Sequence, residues 1–202
     1  MSTASNRRVL LLIVGLPLVM FLGATLLWEA VDSGRLDIVE VLGTANRGTL
    51  VEPPRSLGDL TMREVDGEVW EVQPGPDATW YLLMTGAPEC GEECAELLYF
   101  TRQMRTAMGK YRPRIQRLLL VPGEPGTSAP AEELLEEHPD LKVLYTPATQ
   151  IDGVLAGIGE GDEEAAYFAV DPLGWVMMYY TADIHYKDVM ADLKFLLKNS
   201  GK

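Results

Sequence analysis

Between Arg8 and Glu29 the chain carries no charge, and this twenty-residue interval, VLLLIVGLPLVMFLGATLLW, constrains the protein more than any other stretch. As a helix rising 1.5 Å per residue it covers roughly 30 Å, the thickness of the hydrocarbon core of a bilayer. Arg7 and Arg8 lie on its N-terminal flank, whereas Glu29, Asp32 and Asp37 follow it. The positive-inside rule then puts residues 1–8 in the cytoplasm and everything beyond Trp28 outside. A cleaved signal peptide has an apolar core of about 7–15 residues and a small-x-small site. Here the core is longer and TLLWEAVDSG offers a poor site, so an uncleaved anchor over 9–28 is expected. Pro17 is compatible with that reading, because membrane helices tolerate proline.

The residues after the anchor are enough for one domain with its own core. A formal charge of −13 argues against nucleic acid or an anionic lipid surface as partner, both of which select basic patches. It fits an exported domain, and a partner that is basic or a cation.

Residues 29–56 read as a connector, because the two prolines of EPPR forbid helix and favour extended backbone. EVWEV (68–72) alternates as a half-buried strand should, and TWYLLMTG (79–86) is a continuous apolar run of strand length, expected at the centre of a sheet. From Cys94 to about Lys110, Leu97, Leu98, Phe100, Met104, Ala107 and Met108 recur at helical spacing. RIQRLLLVPG and LKVLYTP read as further strands, SAPAEELLEEHPD and ATQIDGVLAGIG as helices. AAYFAV and WVMMYY flank a DPLG turn, a hairpin signal, and HYKDVMADLKFLLK places Val189, Leu193, Leu196 and Leu197 on one face of a final helix. Strands alternating with helices imply parallel neighbours joined by right-handed crossovers. The expected class is α/β, a thioredoxin-like fold with a central mixed sheet flanked by helices, preceded by one transmembrane helix.

An anchor, an apolar strand leading into CGEEC, and YFAVDPLGWV near the C-terminus are the features by which the chain resembles the Sco/SenC family from about Leu57 to Lys202. That resemblance implies a membrane-anchored, thioredoxin-like copper chaperone taking part in cytochrome c oxidase assembly. It implies Cys90 and Cys94 as the redox pair and as copper ligands, for Cu(I) or Cu(II). The chain departs from the family at two points. Gly91 stands where the family has proline, and the loop before the DPLG strand, GIGEGDEE, lacks the family's third ligand, a histidine.

Two exported cysteines can simply form a disulfide. Closing so short a loop removes little chain entropy, however, so a purely structural staple is a poor use of the pair. On a helix, residues i and i+4 project from one face, and the two sulfurs can meet one ion or each other. Glu89, Glu92, Glu93 and Glu96 surround them, which disfavours a thiolate nucleophile; the helix N-terminus opposes this by at most about 1–2 kcal/mol. The same carboxylates attract a cation, and two thiolates suit Cu(I), although acidic residues are also ordinary in a first helical turn. His185, just past the second hairpin strand and on the cysteine edge of the sheet, is the expected third metal ligand. His138 is expected at the surface. Met177 and Met178 are expected mainly to pack, and Asp162, Glu163 and Glu164 to be weak oxygen ligands or a solvated turn. No serine nucleophile motif or phosphate loop is present.

The resulting expectation is four segments: a cytoplasmic tail (1–8), an anchor (9–28), a connector (29–56) and a periplasmic domain (57–202) held by the inner membrane. The domain would serve a cytochrome c oxidase subunit or another membrane-associated copper protein, by Cu(I) delivery or by reducing the client's cysteines. Two other functions share these residues. One is a general thiol-disulfide oxidoreductase; the other is a non-catalytic domain that kept the fold and lost the ligand set.

Overall fold

The structure, a computed structural model, describes residues 3–33, 35, 46–72, 79–86, 90–126, 134, 136–159 and 165–200. It divides into two units, Met1–Ala45 and Asn46–Lys202.

In the first unit α1 runs Thr3–Asp32 with Pro17 inside it. Its segment Leu12–Asp32, 21 residues of mean hydropathy 1.9, is long and apolar enough to cross a membrane. Side chains such as Leu18, Phe21 and Trp28 are exposed along it.

The second unit is built on a mixed sheet of eight strands in the order β1-β8-β7-β4-β5-β6-β2-β3. The strands are β1 (Thr49–Ser56), β2 (Met62–Arg63), β3 (Val69–Trp70), β4 (Trp80–Thr85), β5 (Ile115–Pro122), β6 (Leu141–Thr146), β7 (Ala165–Val170) and β8 (Trp175–Thr181). β4, β5 and β6 run parallel, with Leu83 opposite Leu118 and Leu119 opposite Val143. β7 and β8 form the antiparallel hairpin, and β7 lies antiparallel to β4 with Met84 opposite Tyr167. The apolar run of β4 takes a central position because it needs cover on both faces: Leu82, Leu83 and Met84 are fully buried. Each contributes roughly 1.5–3 kcal/mol by its burial.

Three helices described over their whole length cover the sheet: α2 (Glu92–Ala107), α3 (Ala148–Leu155) and α4 (Tyr186–Asn199). α2 and α4 press Leu98, Met104, Val189, Leu193 and Leu197 onto one face, against Leu82, Met84, Leu119 and Tyr167. α3 and a 3-10 turn at Leu57–Asp59 cover the other, where Leu57, Leu83, Leu118, Val154 and Phe168 meet. The hairpin turn is held by Asp171, whose carboxylate accepts from the amides of Leu173 and Trp175, with Gly174 at φ 88°.

Four local expectations need correction. Residues 49–56, read as connector, are the edge strand β1 on β8, with a register irregularity spanning the two prolines. Proline lacks an amide donor but is acceptable at an edge, where half the ladder is unpaired anyway. EVWEV yields only the two-residue β3. The cysteine helix begins at Glu92, so Cys90 lies outside it. His138, expected at the surface, is buried at 3% exposure. The expected helix SAPAEELLEEHPD falls largely outside the described residues, as do Glu89, Asp162, Glu163 and Glu164.

Candidate functional site

The carboxyl ends of β4 and β5 converge on one edge of the sheet, where a crossing α/β fold leaves its crevice. The register carries that edge across the hairpin: β4 ends near the start of β7, and Ala165 of β7 pairs with Thr181 at the end of β8. α2 starts from this edge with Gly91 as N-cap and Glu92 and Glu93 in its first turn, where acidic side chains complement the helix dipole.

Cys90 and Cys94 are joined as a disulfide, with Cα atoms 5.1 Å apart. The two backbones are unlike. Cys94 is the third residue of α2, on regular helix. Cys90 precedes the N-cap and has φ 33°, a positive value seldom adopted by a residue with a side chain. The helical i, i+4 argument therefore does not explain how the sulfurs meet; a turn into the helix does. Cys94 packs on the end of β4 at Gly86. A Cβ at Gly86 would stand 2.9 Å from Leu119 Cδ1, too close without a shift of that side chain, and 3.5 Å from Cys94 Sγ, an ordinary contact distance. Gly86 also lines an open groove of about 310 Å³, together with Thr85, Pro122, Ala148, Ile151 and Asp152. Cys90 and Cys94 are both half-buried.

His185 is on the expected edge but has other employment. It is the N-cap of α4: its Nδ1 accepts from the Lys187 amide at 3.2 Å, and its ring stacks on Tyr186 at 4.7 Å between centroids. β7 separates β8 from β4, which puts about 10 Å of sheet between their ends. Among the described residues no three His, Cys, Asp or Glu side chains gather as a metal site. Two sulfurs suit soft Cu(I) once reduced; His185 is not brought to them. Met178 is buried and its Sδ accepts from the Tyr180 hydroxyl at 2.9 Å, whereas Met177 is half-buried.

Under α2 lies a polar group that sequence reasoning missed. Arg117 of β5 is fully buried. Its Nη2 donates to the Leu98 carbonyl at 2.6 Å, its Nε to Thr101 Oγ1 at 3.1 Å, and its Nη1 to Asp140 at 3.2 and 3.4 Å. Arg105 flanks the same carboxylate at 3.3 Å and donates to the Ile115 carbonyl at 2.6 Å. Burial lowers the Arg117 pKa, and Asp140 pushes it back. Burial, then the charges of Arg117 and Arg102, lower His138 from its ordinary value and keep the imidazole neutral at pH 7. The sequence signal was an arginine inside the apolar run IQRLLLV, on the same strand face as Leu119; period-2 counting alone would have marked it as inward.

A mixed sheet sandwiched between helices, with a disulfide where a strand passes into a helix, defines a thioredoxin-like protein. Residues 80–200, more than half of the chain, match the family described as transmembrane-like, thioredoxin-like, C-terminal domain, and the chain belongs to that family. Among solved structures it resembles yeast Sco1 with copper bound, at TM-score 0.55 and 15% identity over 79% of this chain and 100% of that one. A SCO1/SenC family lipoprotein from Bacillus anthracis gives TM-score 0.54 and 12% identity over 72% and 98%. BsSco, a member of the Sco family of cytochrome c oxidase assembly proteins with a disulfide switch, gives TM-score 0.52 and 12% identity over 78% and 98%. At such identities the likeness is one of fold, and it is the fold expected from the Sco/SenC resemblance. No curated protein matches the chain.

Proposed function

We propose that this chain is a membrane-anchored, Sco-like assembly factor for cytochrome c oxidase whose Cys90–Cys94 pair reduces the copper-site cysteines of its client. One observation carries the reading: in a fold shared with copper-bound yeast Sco1 and with BsSco, the two cysteines form a disulfide at the carboxyl edge of the sheet, where β4 passes into α2 and Cys94 packs on Gly86. In the reaction one reduced cysteine attacks a client disulfide, a mixed disulfide forms, and the second cysteine displaces it. Two electrons and two protons pass to the client, and Cys90–Cys94 is left oxidised. This route uses only the two sulfurs.

Delivery of Cu(I) by the same pair is the second reading, favoured by the copper-bound neighbour. It treats copper as cargo, held by Cys90 and Cys94, and His185 would join as third ligand only by leaving its helix cap. In either case residues 1–8 face the cytoplasm, the segment 9–28 crosses the inner membrane, and the domain works in the periplasm from a connector ending before β1. Function rests on this site and not on the fold.

The test is oxidase activity in cells carrying Cys90→Ser or Cys94→Ser as the sole copy, with Cu(I) titration of the reduced full chain in detergent against a competing chelator. Loss of oxidase activity with only ordinary dithiol affinity for copper is the expected result. Tight one-to-one binding that weakens in His185→Ala would transfer the function to copper delivery. Normal oxidase activity in both cysteine variants would refute an assembly role and leave a general oxidoreductase or a docking domain.

A further inference from the structure

Three α2 residues on one inner stripe, Leu98, Thr101 and Arg105, are tied by ionic hydrogen bonds to β5 and to Asp140 just before β6. The Leu98 and Thr101 bonds and one of the two ion pairs to Asp140 run through Arg117, whose fork is used on both prongs and at Nε. A buried ion of this kind is not needed for stability, since well-packed apolar residues in its place are commonly neutral or better. What a planar fork does, and an apolar side chain cannot, is fix one position of the helix along and across the sheet. Leu98 follows Cys94 by one helical turn, so its amide is the hydrogen-bond partner of the Cys94 carbonyl. Two residues further along β5 from Arg117, Leu119 touches the Gly86 position on which the Cys94 sulfur packs. Cys90 also packs against this core, but it precedes the helix, at φ 33°, and so is not carried by the α2 backbone that Arg117 holds.

We propose that Arg117 is a positioning residue for Cys94. It holds that sulfur against Gly86 in the reduced protein as well as in the disulfide, and leaves Cys90 as the sulfur that moves when the bond opens. The inference rests on the reading that the pair cycles between the two states. Holding one thiol in place raises its effective concentration toward the other, which favours the disulfide. In glutathione buffers the reaction is protein disulfide plus two glutathione thiols giving protein dithiol plus glutathione disulfide. One S–S bond breaks and one forms, and two electrons and two protons pass to the protein.

The experiment measures this equilibrium by thiol alkylation on the full chain in detergent, for the wild type, Arg117→Lys, Arg117→Met, and Leu57→Ala as a destabilised control on the opposite face. Arg117→Lys keeps the charge and loses the fork. It is expected to shift the equilibrium about tenfold toward the dithiol, the scale of one charge-assisted hydrogen bond, with Arg117→Met shifted at least as far. Leu57→Ala should not shift. Thr101→Val, which removes the acceptor of the Arg117 Nε bond together with the hydroxyl's own local bond to the Leu97 carbonyl and changes shape little, should shift by roughly threefold and serves if the arginine variants do not fold. An unshifted Arg117→Lys beside a shifted Arg117→Met would mean that charge and not position matters, and would overturn the proposal. So would an equal shift in Leu57→Ala, or no shift in any variant. No client or copper enters this measurement, so an absent oxidase phenotype leaves it standing. A pair inert to glutathione would sink the cycling reading and this inference together.

Discussion

The face of the sheet beneath α2 and α4 and the face beneath α3 bury similar sets of aliphatic and aromatic side chains, but only the first also buries charge. Leu57, Leu83, Leu118, Val154 and Val176 are met on the α3 side by other apolar groups. On the α2 side Arg117 and Thr101 are buried outright, and Asp192 of α4 is 6% exposed. Its carboxylate accepts from the amides of Arg47 and Gly48 where the chain enters the sheet. Buried polar groups are costly unless fully paired, and when paired they admit one arrangement. The disulfide sits on the side with that property. One face supplies stability in bulk, while the other spends some of it on placing a helix whose first turn carries one sulfur of the disulfide.

The strongest way to break this comparison is on the apolar face. Leu83→Ala removes a fully buried side chain from the middle of β4, and should cost about 2–5 kcal/mol, read by urea unfolding of the oxidised protein. The glutathione equilibrium of the cysteines should stay where it was. A shift in that equilibrium as large as the one from Arg117→Lys would show that the two faces do not differ in their hold on the site.

Much of this architecture was legible because periodicity reports burial. TWYLLMTG and RIQRLLLVPG could only be central strands, DPLG carries its turn chemistry in its letters, and CGEEC stood where a strand enters a helix. β1 was missed because EPPR reads locally as a break; its pairing to β8 is a tertiary fact, tolerated since an edge strand needs only half its amides. The i, i+4 spacing suggested both cysteines on one helical face, whereas α2 begins at Glu92 and leaves Cys90 in the turn before it. His138 looked exposed between charged neighbours in EEHPD, yet the chain turns there, with the Leu141 amide donating to its carbonyl, and the residue is buried. The Arg117 network was invisible for a different reason. Its partners are 16, 19 and 23 residues away, and no local pattern encodes them.

A smaller effect sharpens the contrast between anchor and staple. If α2 is placed chiefly by Arg117, the disulfide adds little to the fold. Cys90→Ser/Cys94→Ser should cost about 2 kcal/mol or less in unfolding free energy, the chain-entropy value for so short a loop, with α2 intact by circular dichroism. A loss as large as that of Leu83→Ala would make the pair a structural staple and weaken the case for a redox cycle.

The smallest predicted change runs the other way. Tyr167, on the α2 side, stacks on Tyr180 at 5.2 Å and lies 6.1 Å from Phe100, and its buried hydroxyl has no hydrogen-bond partner among the described residues. An unsatisfied buried group is a cost, so Tyr167→Phe should stabilise the protein by about 1 kcal/mol near neutral pH. Burial also pushes the Tyr167 phenol well above its ordinary value of 10.0. Tyr180 is raised too, by burial first and then by Asp192. Above about pH 10 the unfolded chain gives up protons that the folded core retains, so stability contributed below that pH is lost as pH rises toward the folded values. Tyr167→Phe removes one of these two groups, and should flatten the alkaline fall of unfolding free energy without abolishing it. Measured between pH 8 and pH 11, roughly the range in which free tyrosines ionise, a variant curve parallel to the wild type would place the Tyr167 hydroxyl in contact with solvent. It would then leave Arg117, Thr101 and Asp192 among the polar groups that this face holds dry.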